Sequence, residues 1–291
     1  MFSYEAAFDR NIGWLTAEEQ QALRSKRIAI AGMGGVGGVY LTTLVRLGIG
    51  AFNLADFDTF DLPNFNRQAG AMLSTLGRSK VDVMSAQALD INPELDLRRF
   101  PHGVDASNVD EFLTGCDLYV DGLDFFAFEA RSVAFARCSQ LGIPATTAAP
   151  LGMGAALINF RPDGMTFEEY FDWRGQSDDE KALRLAVGVA PIGPHRRYLV
   201  VPEAVDMVRQ RVPSTAMACQ ICAGVVATEA LKILLGRGYV RYAPHAMQFD
   251  AYSGRLLRTW RPGGNRHPLQ RVAIALGRRM LQRAVRERRP G

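Results

Sequence analysis

The amino-acid sequence predicts a doubly wound α/β sheet, and three observations carry that prediction. A short apolar run, Arg27-Ile-Ala-Ile-Ala-Gly32, flows directly into a glycine-rich turn, as a parallel strand buried on both faces does. The turn opens an amphipathic stretch over residues 35–47, and a second apolar run follows at Ala51–Ala55. This strand–turn–helix–strand order recurs downstream, the pattern of a sheet covered by helices on both sides.

The elements follow in order. Thr16-Ala-Glu-Glu19 has capping-box spacing and starts a first helix that runs to about Leu23, behind an N-terminal arm. Further helical patterns lie at Lys80–Ile91, 108–113 and 126–141, with strands at Leu118–Asp121, 143–149 and 153–160. Residues 161–213 are polar, punctuated by proline and only patchily helical, so they read as a long crossover with a mobile middle around 174–181. Strong helical patterning returns at Ala216–Leu235 and stops at Gly236. Two short strands are expected at 247–251 and 256–260, with Ser253-Gly254 as their turn. A last helix over 266–289 carries two apolar stripes, Leu269/Val272/Leu276/Met280 and Ile274/Leu281/Val285, which favours docking onto the body.

With 291 residues, 48% hydrophobic and 22% charged, the chain can bury a sizeable core as one large or two small domains. No unbroken run of about 18 apolar residues occurs and no basic-then-apolar leader opens the chain, so neither a membrane span nor a secretory signal is expected. Four scattered cysteines (Cys116, Cys138, Cys219, Cys222) do not make a disulfide framework, and a cytoplasmic location is the expectation. The net charge of +4 is unevenly spread. Residues 255–291 hold eleven arginines, no lysine and one acid, Glu287, a net +10; the remainder has 23 basic and 29 acidic groups, a net −6. Such an end is either a solvated surface that aids solubility or a contact for an anionic partner.

Gly32-Met-Gly34-Gly35-Val-Gly37 fits G-x-G-x-x-G in the right context, after a strand and opening a helix. Glycines let the backbone approach phosphates, and the helix N terminus presents free N–H groups. Asp56, at the end of the second strand, is placed to accept hydrogen bonds from ribose hydroxyls. These features define a Rossmann-like nucleotide-binding unit over residues 26–160, between an arm and helix (1–25), the crossover (161–213) and a C-terminal part (214–291). On this motif alone an NAD(P)-dependent oxidoreductase fits equally well.

The next residues separate the readings. Asp56-Phe-Asp58 is followed by Asn64-Phe-Asn66-Arg67-Gln68 and by Gly77-Arg-Ser-Lys80. This order resembles the ThiF/MoeB/ubiquitin-activating-enzyme family, whose pattern runs D-x-D…S-N-x-x-R-Q…G-x-x-K; Pro63 stands here in place of the serine. The resemblance implies an ATP-dependent adenylyltransferase in which Arg67 and Lys80 hold the β- and γ-phosphates and Asn64 and Gln68 donate neutral hydrogen bonds. Charge building on departing pyrophosphate needs such cations, whereas a dehydrogenase leaves them unexplained. The resemblance further implies that Asp124, in Asp121-Gly-Leu-Asp124, holds Mg²⁺, with capping of the following helix as its other reading. Arg10, in Phe8-Asp-Arg10-Asn, resembles the family element whose arginine reaches the ATP site of the neighbouring subunit, which implies a homodimer.

Two departures matter. Relatives bind zinc through two C-x-x-C pairs, but only Cys219-Gln-Ile-Cys222 is present, and one pair on a helix reads as buried packing. Residues 161–213 contain no cysteine, so no thiolate there can capture an activated acyl group. His195-Arg-Arg197 in this stretch reads as an exposed loop cluster before it reads as a substrate contact. The expected reaction is adenylation of a carboxylate by Mg-ATP. The carboxylate is the C terminus of a ubiquitin-like protein or peptide or, alternatively, a group on tRNA, as in threonylcarbamoyladenosine dehydratases. A C-terminal extension is expected to cover the substrate.

Overall fold

The structure is a computed structural model and describes residues 2–207 and 209–287. One eight-stranded sheet organises it, with strands β1 (Arg27–Ala31), β2 (Ala51–Ala55), β3 (Asp96–Phe100), β4 (Leu118–Asp121), β5 (Ala145–Leu151), β6 (Gly154–Phe160), β7 (His245–Asp250) and β8 (Arg255–Trp260). Their spatial order is β3-β2-β1-β4-β5-β6-β7-β8. The first five run parallel, with Ile28 opposite both Phe52 and Leu118 in the central register. The last three run antiparallel, so the C-terminal part prolongs the same sheet. β3 is absent from the sequence reading because it is an edge strand, Asp-Leu-Arg-Arg-Phe, whose polar residues face solvent.

Helices cover both faces. On one lie α2 (Ala17–Arg24), α3 (Gly37–Leu47), α4 (Lys80–Ile91) and α9 (Ala216–Leu235), around a core that includes Leu23, Val39, Leu44, Met84 and Val226. The capping box is formed as expected, Thr16 Oγ1 accepting from the Glu19 N–H at 3.1 Å. The short α1 (Tyr4–Phe8) anchors the arm through Tyr4, whose hydroxyl donates to the Gly48 carbonyl at 2.5 Å. α9 is long and apolar enough to cross a membrane by length and composition alone. Here it is a core helix, packed on α3, β5 and β6, with Cys219, Cys222, Val226 and Ala230 fully buried.

The opposite face carries α5 (Val109–Leu113), α6 (Phe128–Leu141), α7 (Phe167–Phe171) and α8 (Asp178–Val189). Here the structure corrects the expected loose crossover. Phe167, Tyr170, Phe171 and Trp173 are buried, with Phe167 stacked on Phe135 at 4.2 Å and Trp173 edge-on to Phe128 at 5.5 Å. The Trp173 indole N–H donates to the Lys181 carbonyl at 3.2 Å, closing the stretch expected to be mobile into a turn. Four aromatics within seven residues bury enough apolar surface to anchor a polar segment. α10 (Pro268–Glu287) docks on α8 through one of its two stripes, Ile274 and Leu281 packing near Leu183 and Val187. The other stripe, Leu269, Val272, Leu276 and Met280, stays exposed. The Val285 side chain and residues 288–291 lie outside the described residues.

Candidate active site

Three loops meet at the carboxyl edge of the parallel strands, where ligands of open α/β sheets bind. They follow β1, β2 and β4. Gly32 has φ +88°, and a Cβ there would stand 2.3 Å from the Gly122 carbonyl oxygen. A Cβ at Gly37 would meet the Gly32 oxygen at 1.7 Å. Both positions therefore require glycine. Gly34 and Gly35 serve another purpose. An added Cβ at Gly34 meets only the Gln68 amide, at 3.7 Å, and at Gly35 it meets Cys219 Sγ at 3.2 Å and Arg67 Cγ at 3.5 Å. The backbone is thus bare toward Arg67 and Gln68. No side chain caps the N terminus of α3, which leaves its first amides and the positive end of its dipole for an anion.

Asp56 fixes this turn. Its Oδ2 accepts from the Met33 N–H at 2.6 Å and its Oδ1 from the Asp58 N–H at 2.8 Å. Burial pushes its carboxyl above the usual range, and the two hydrogen bonds and Lys80 oppose that rise. Each oxygen retains a further lone pair. Lys80, the first residue of α4, is buried with its Nζ 3.0 Å from Asp58 Oδ2. A buried ammonium needs such a counter-ion. In this structure Asp58, expected among the nucleotide ligands, pairs with Lys80.

The rest of the β2 loop presents the other expected groups. Asn64 uses its Oδ1 to accept from the Asp61 N–H at 3.0 Å, closing a short helical turn. Arg67 donates to the Pro63 carbonyl at 3.1 Å and to Asn66 Oδ1 at 2.9 Å, and no carboxylate pairs with it among the described residues. Gln68 is buried against Gly34, and its Oε1 has no hydrogen-bond partner. An uncompensated guanidinium, an orphaned buried amide and a bare glycine backbone in one place fit a polyphosphate ligand.

After β4, Asp124 is exposed, and its Oδ1 accepts from the Phe126 N–H at 3.0 Å. Capping and metal binding are compatible, because Oδ2 remains. One carboxylate oxygen plus phosphate oxygens suits Mg²⁺. Asp121 serves a different end. Buried, it accepts from Arg131 Nε and Thr147 Oγ1, both at 2.8 Å. Arg131 also donates to the carbonyls of Leu123 (2.9 Å), Asp124 (2.9 Å) and Phe125 (3.2 Å). It therefore ties the whole Asp124 loop to the sheet. Nothing in the sequence marks Arg131, since a lone arginine in the first half of a helix reads as a surface charge.

Arg10 lies elsewhere. Its neighbour Asn11 donates to the carbonyls of Arg46 and Leu47, at the C-terminal end of α3. The glycine turn is at the other end of that helix, about 16 Å away for eleven residues. The four cysteines offer no reactive thiol. Burial raises the Cys219, Cys222 and Cys138 thiols and pushes Cys116 up to about 12. His195, read from sequence as part of an exposed cluster, is half-buried with its Nδ1 3.2 Å from Gln248 Nε2. Burial, then the Arg196 charge, lowers it to about 4, while Arg196 and Arg197 are exposed.

This fold and site define a nucleotide-binding α/β protein built for phosphates. The sequence matches the ThiF family over residues 8–272, and the chain belongs to that family. It is 33% identical over 150 residues to the tRNA threonylcarbamoyladenosine dehydratase of Bacillus subtilis strain 168, covering 51% of this chain and 57% of that protein. It is 26% identical over 178 residues to the sulfur carrier protein ThiS adenylyltransferase of Escherichia coli K12, covering 61% of this chain and 70% of that one. The chain thus spans little more than half the length of the dehydratase. Among solved structures, E. coli tRNA N6-threonylcarbamoyladenosine dehydratase in complex with ATP superposes with a TM-score of 0.58. That match covers 80% of this chain and 95% of that one, at 20% identity, a likeness of fold.

Proposed function

We propose that this chain adenylates a carboxylate, which attacks the α-phosphate of ATP and expels pyrophosphate. One observation carries the proposal: Arg67, without a carboxylate partner among the described residues, and Lys80, held by an exposed Asp58, flank the open glycine turn. A dinucleotide oxidoreductase has no use for that pair, and a non-catalytic scaffold has no reason to keep it. Gly34, Gly35 and the α3 N terminus would cradle phosphates, Asp56 would accept from the ribose, and Asn64 and Gln68 would complete the pocket. Arg67 and Lys80 would stabilise the charge that develops on pyrophosphate. Asp124 would hold Mg²⁺, which would offset negative charge on the phosphates. A carboxylate is already a nucleophile at neutral pH, so positioning replaces a general base.

The favoured substrate is a carboxylate borne on tRNA. The name of the B. subtilis relative and the all-arginine C-terminal region support it. A protein or peptide C terminus is the second reading, favoured by the name of the ThiS-adenylating relative. On either reading the acyl acceptor lies off this chain's cysteines, and Arg10 would complete the site of a second copy in a homodimer. ATP–pyrophosphate exchange measured with unfractionated tRNA and with a panel of Gly-ending small proteins tests both readings. Exchange with neither substrate, together with tight NAD binding by calorimetry, would overturn the proposal.

A further inference from the structure

A cleft of ligand size lies away from the glycine turn. It lies on the far face of the sheet, between α8, the turn Gly264–Arg266 and α10, with a volume of about 800 Å³. Four arginines line it, Arg184, Arg266, Arg271 and Arg278, with one acid, Asp172. Their charges are not equivalent. Arg184 is held by Asp172 and by Glu180 (2.9 Å), and Arg278 donates to the same Glu180 at 2.7 Å. Arg266 and Arg271 are exposed and make no ion pair or side-chain hydrogen bond among the described residues. Arg266 has Glu169 as a charged neighbour, whose carboxyl it helps to lower, without an ion pair between them, so the cleft carries two guanidinium groups outside any ion pair over a wall that is already neutralised.

That wall is rigid. Asn265 is buried and donates to the carbonyls of Phe171 at 3.0 Å and Arg184 at 2.9 Å. Gln270, also buried, donates to the Val187 carbonyl at 3.1 Å. These bonds fix the start of α10 against the end of α8, so the two free arginines project from a fixed frame. A cation whose charge is answered inside the protein is structural, whereas a pair left open beside a cleft of ligand size invites an anion. Guanidinium forks match phosphate oxygens two at a time. Val272, Ile274 and Ala275 add an apolar wall of the kind that accommodates a sugar or base edge.

We infer that this cleft is a second anion site, separate from the glycine turn, that takes phosphate esters through Arg266 and Arg271. Two sources share that chemistry: the phosphodiester backbone of RNA and a free nucleotide. The site stands on its own geometry; if the substrate is borne on tRNA, as proposed above, the backbone is its natural occupant.

The test uses the full-length chain and the double variant Arg266→Gln/Arg271→Gln. Three measurements are made on each: binding of unfractionated tRNA across a salt series, equilibrium dialysis of AMP, and ATP–pyrophosphate exchange. If RNA is the source, the variant binds tRNA about tenfold more weakly and its log–log salt slope falls by about 2, while exchange at saturating tRNA is unchanged. If a free nucleotide is the source, wild type takes up a second equivalent of AMP that the variant lacks, with tRNA binding unaltered. Unchanged tRNA affinity, salt slope and AMP stoichiometry in a variant with wild-type circular dichroism would overturn the inference. Loss of exchange in wild type would strike the adenylation proposal and leave this site to be judged by the two binding measurements. Both arginines are exposed and unpaired, so misfolding is not expected; Arg266→Lys/Arg271→Lys, which keeps the charge, should retain part of the binding and exclude a merely structural effect.

Discussion

The loops after β1, β2 and β4 and the segment after β6 are built on one sheet, yet they treat polar groups in opposite ways. At the first site, groups are left open: among the described residues Arg67 lacks a carboxylate, Gln68 Oε1 lacks any partner, and α3 begins without a side-chain cap. In the second region, up to the end of α8, groups are answered internally. Thr166 and Glu169 form a capping box, Arg184 has two carboxylates, and Trp173 and Tyr170 both donate to carbonyls. Unsatisfied polar groups cost stability, and at the first site an orphaned amide oxygen stands beside a bare glycine backbone and an unpaired guanidinium, a combination that suits a ligand. Arg266, in the turn before α10, and Arg271, in its first turn, fall on the open side of that division.

The largest expected effects probe this contrast within one loop. Asp124→Ala should abolish ATP–pyrophosphate exchange and its dependence on Mg²⁺, with the melting temperature nearly unchanged, because the side chain is exposed. Arg131→Ala should do the reverse in kind. It strands the buried Asp121 carboxylate, and removing one member of a buried pair costs about 3–5 kcal/mol, readable in a urea titration. Equal destabilisation by the two variants would dissolve the distinction between open and answered groups.

Arg67→Ala and Lys80→Ala should each slow exchange by about 10²-fold or more, the usual cost of losing one charge-stabilising donor. They differ in a second respect. Arg67 has only hydrogen bonds to its own loop, whereas Lys80 is buried and paired with Asp58. A loss of stability is therefore expected for Lys80→Ala and little for Arg67→Ala, measured in the same titration. Near-normal exchange in both variants would place the chemistry elsewhere.

What could be read from the sequence follows the same division. The glycine turn and Asp56 are legible because chemistry fixes residue types at short spacings, Arg67 and Lys80 are legible through the family resemblance, and most elements, among them Arg27–Ala31, Lys80–Ile91 and Ala216–Leu235, fall where periodicity puts them. Three features were not visible. β3 is a polar edge strand that lacks the apolar signature of a buried one. The aromatic anchor Phe167–Trp173 sits in a polar context, and its burial depends on Phe128 and Phe135, some forty residues upstream. Arg131 acts through carbonyl groups of its own preceding loop, contacts that leave no trace in residue type.

A smaller effect tests the arm. Arg10 stands at the end of α3 remote from its own glycine turn, so it should serve a second copy. Arg10→Ala and Lys80→Ala should each be nearly inactive alone. Mixed, they should recover about a quarter of wild-type exchange, since random assortment makes half the dimers mixed, each with one complete site of two. A mixture no more active than its parents, after exchange of chains has been verified, would remove Arg10 from the site.

The smallest effect is expected at the cysteines, and it bears on where the activated acyl group goes. Capture of an adenylate needs a thiolate. Cys138, Cys219 and Cys222 are buried, and burial raises all three thiols; Cys116, partly buried, is pushed up to about 12. At neutral pH the thiolate fraction of each is negligible. Cys219 lies against Gly35 at the edge of the nucleotide turn, yet what it supplies there is volume, its sulfur 3.2 Å from where a Gly35 Cβ would stand. Replacing all four by alanine keeps every proposed phosphate ligand and removes one small buried atom per site, about 1 kcal/mol each or less. Exchange should therefore stay within about twofold of wild type at a temperature where the variant is folded, and mass spectrometry of the wild-type chain during turnover should find no acylated cysteine. A thioester trapped on any of the four, or stoichiometric zinc in the purified protein, would show that a thiol joins the chemistry after all.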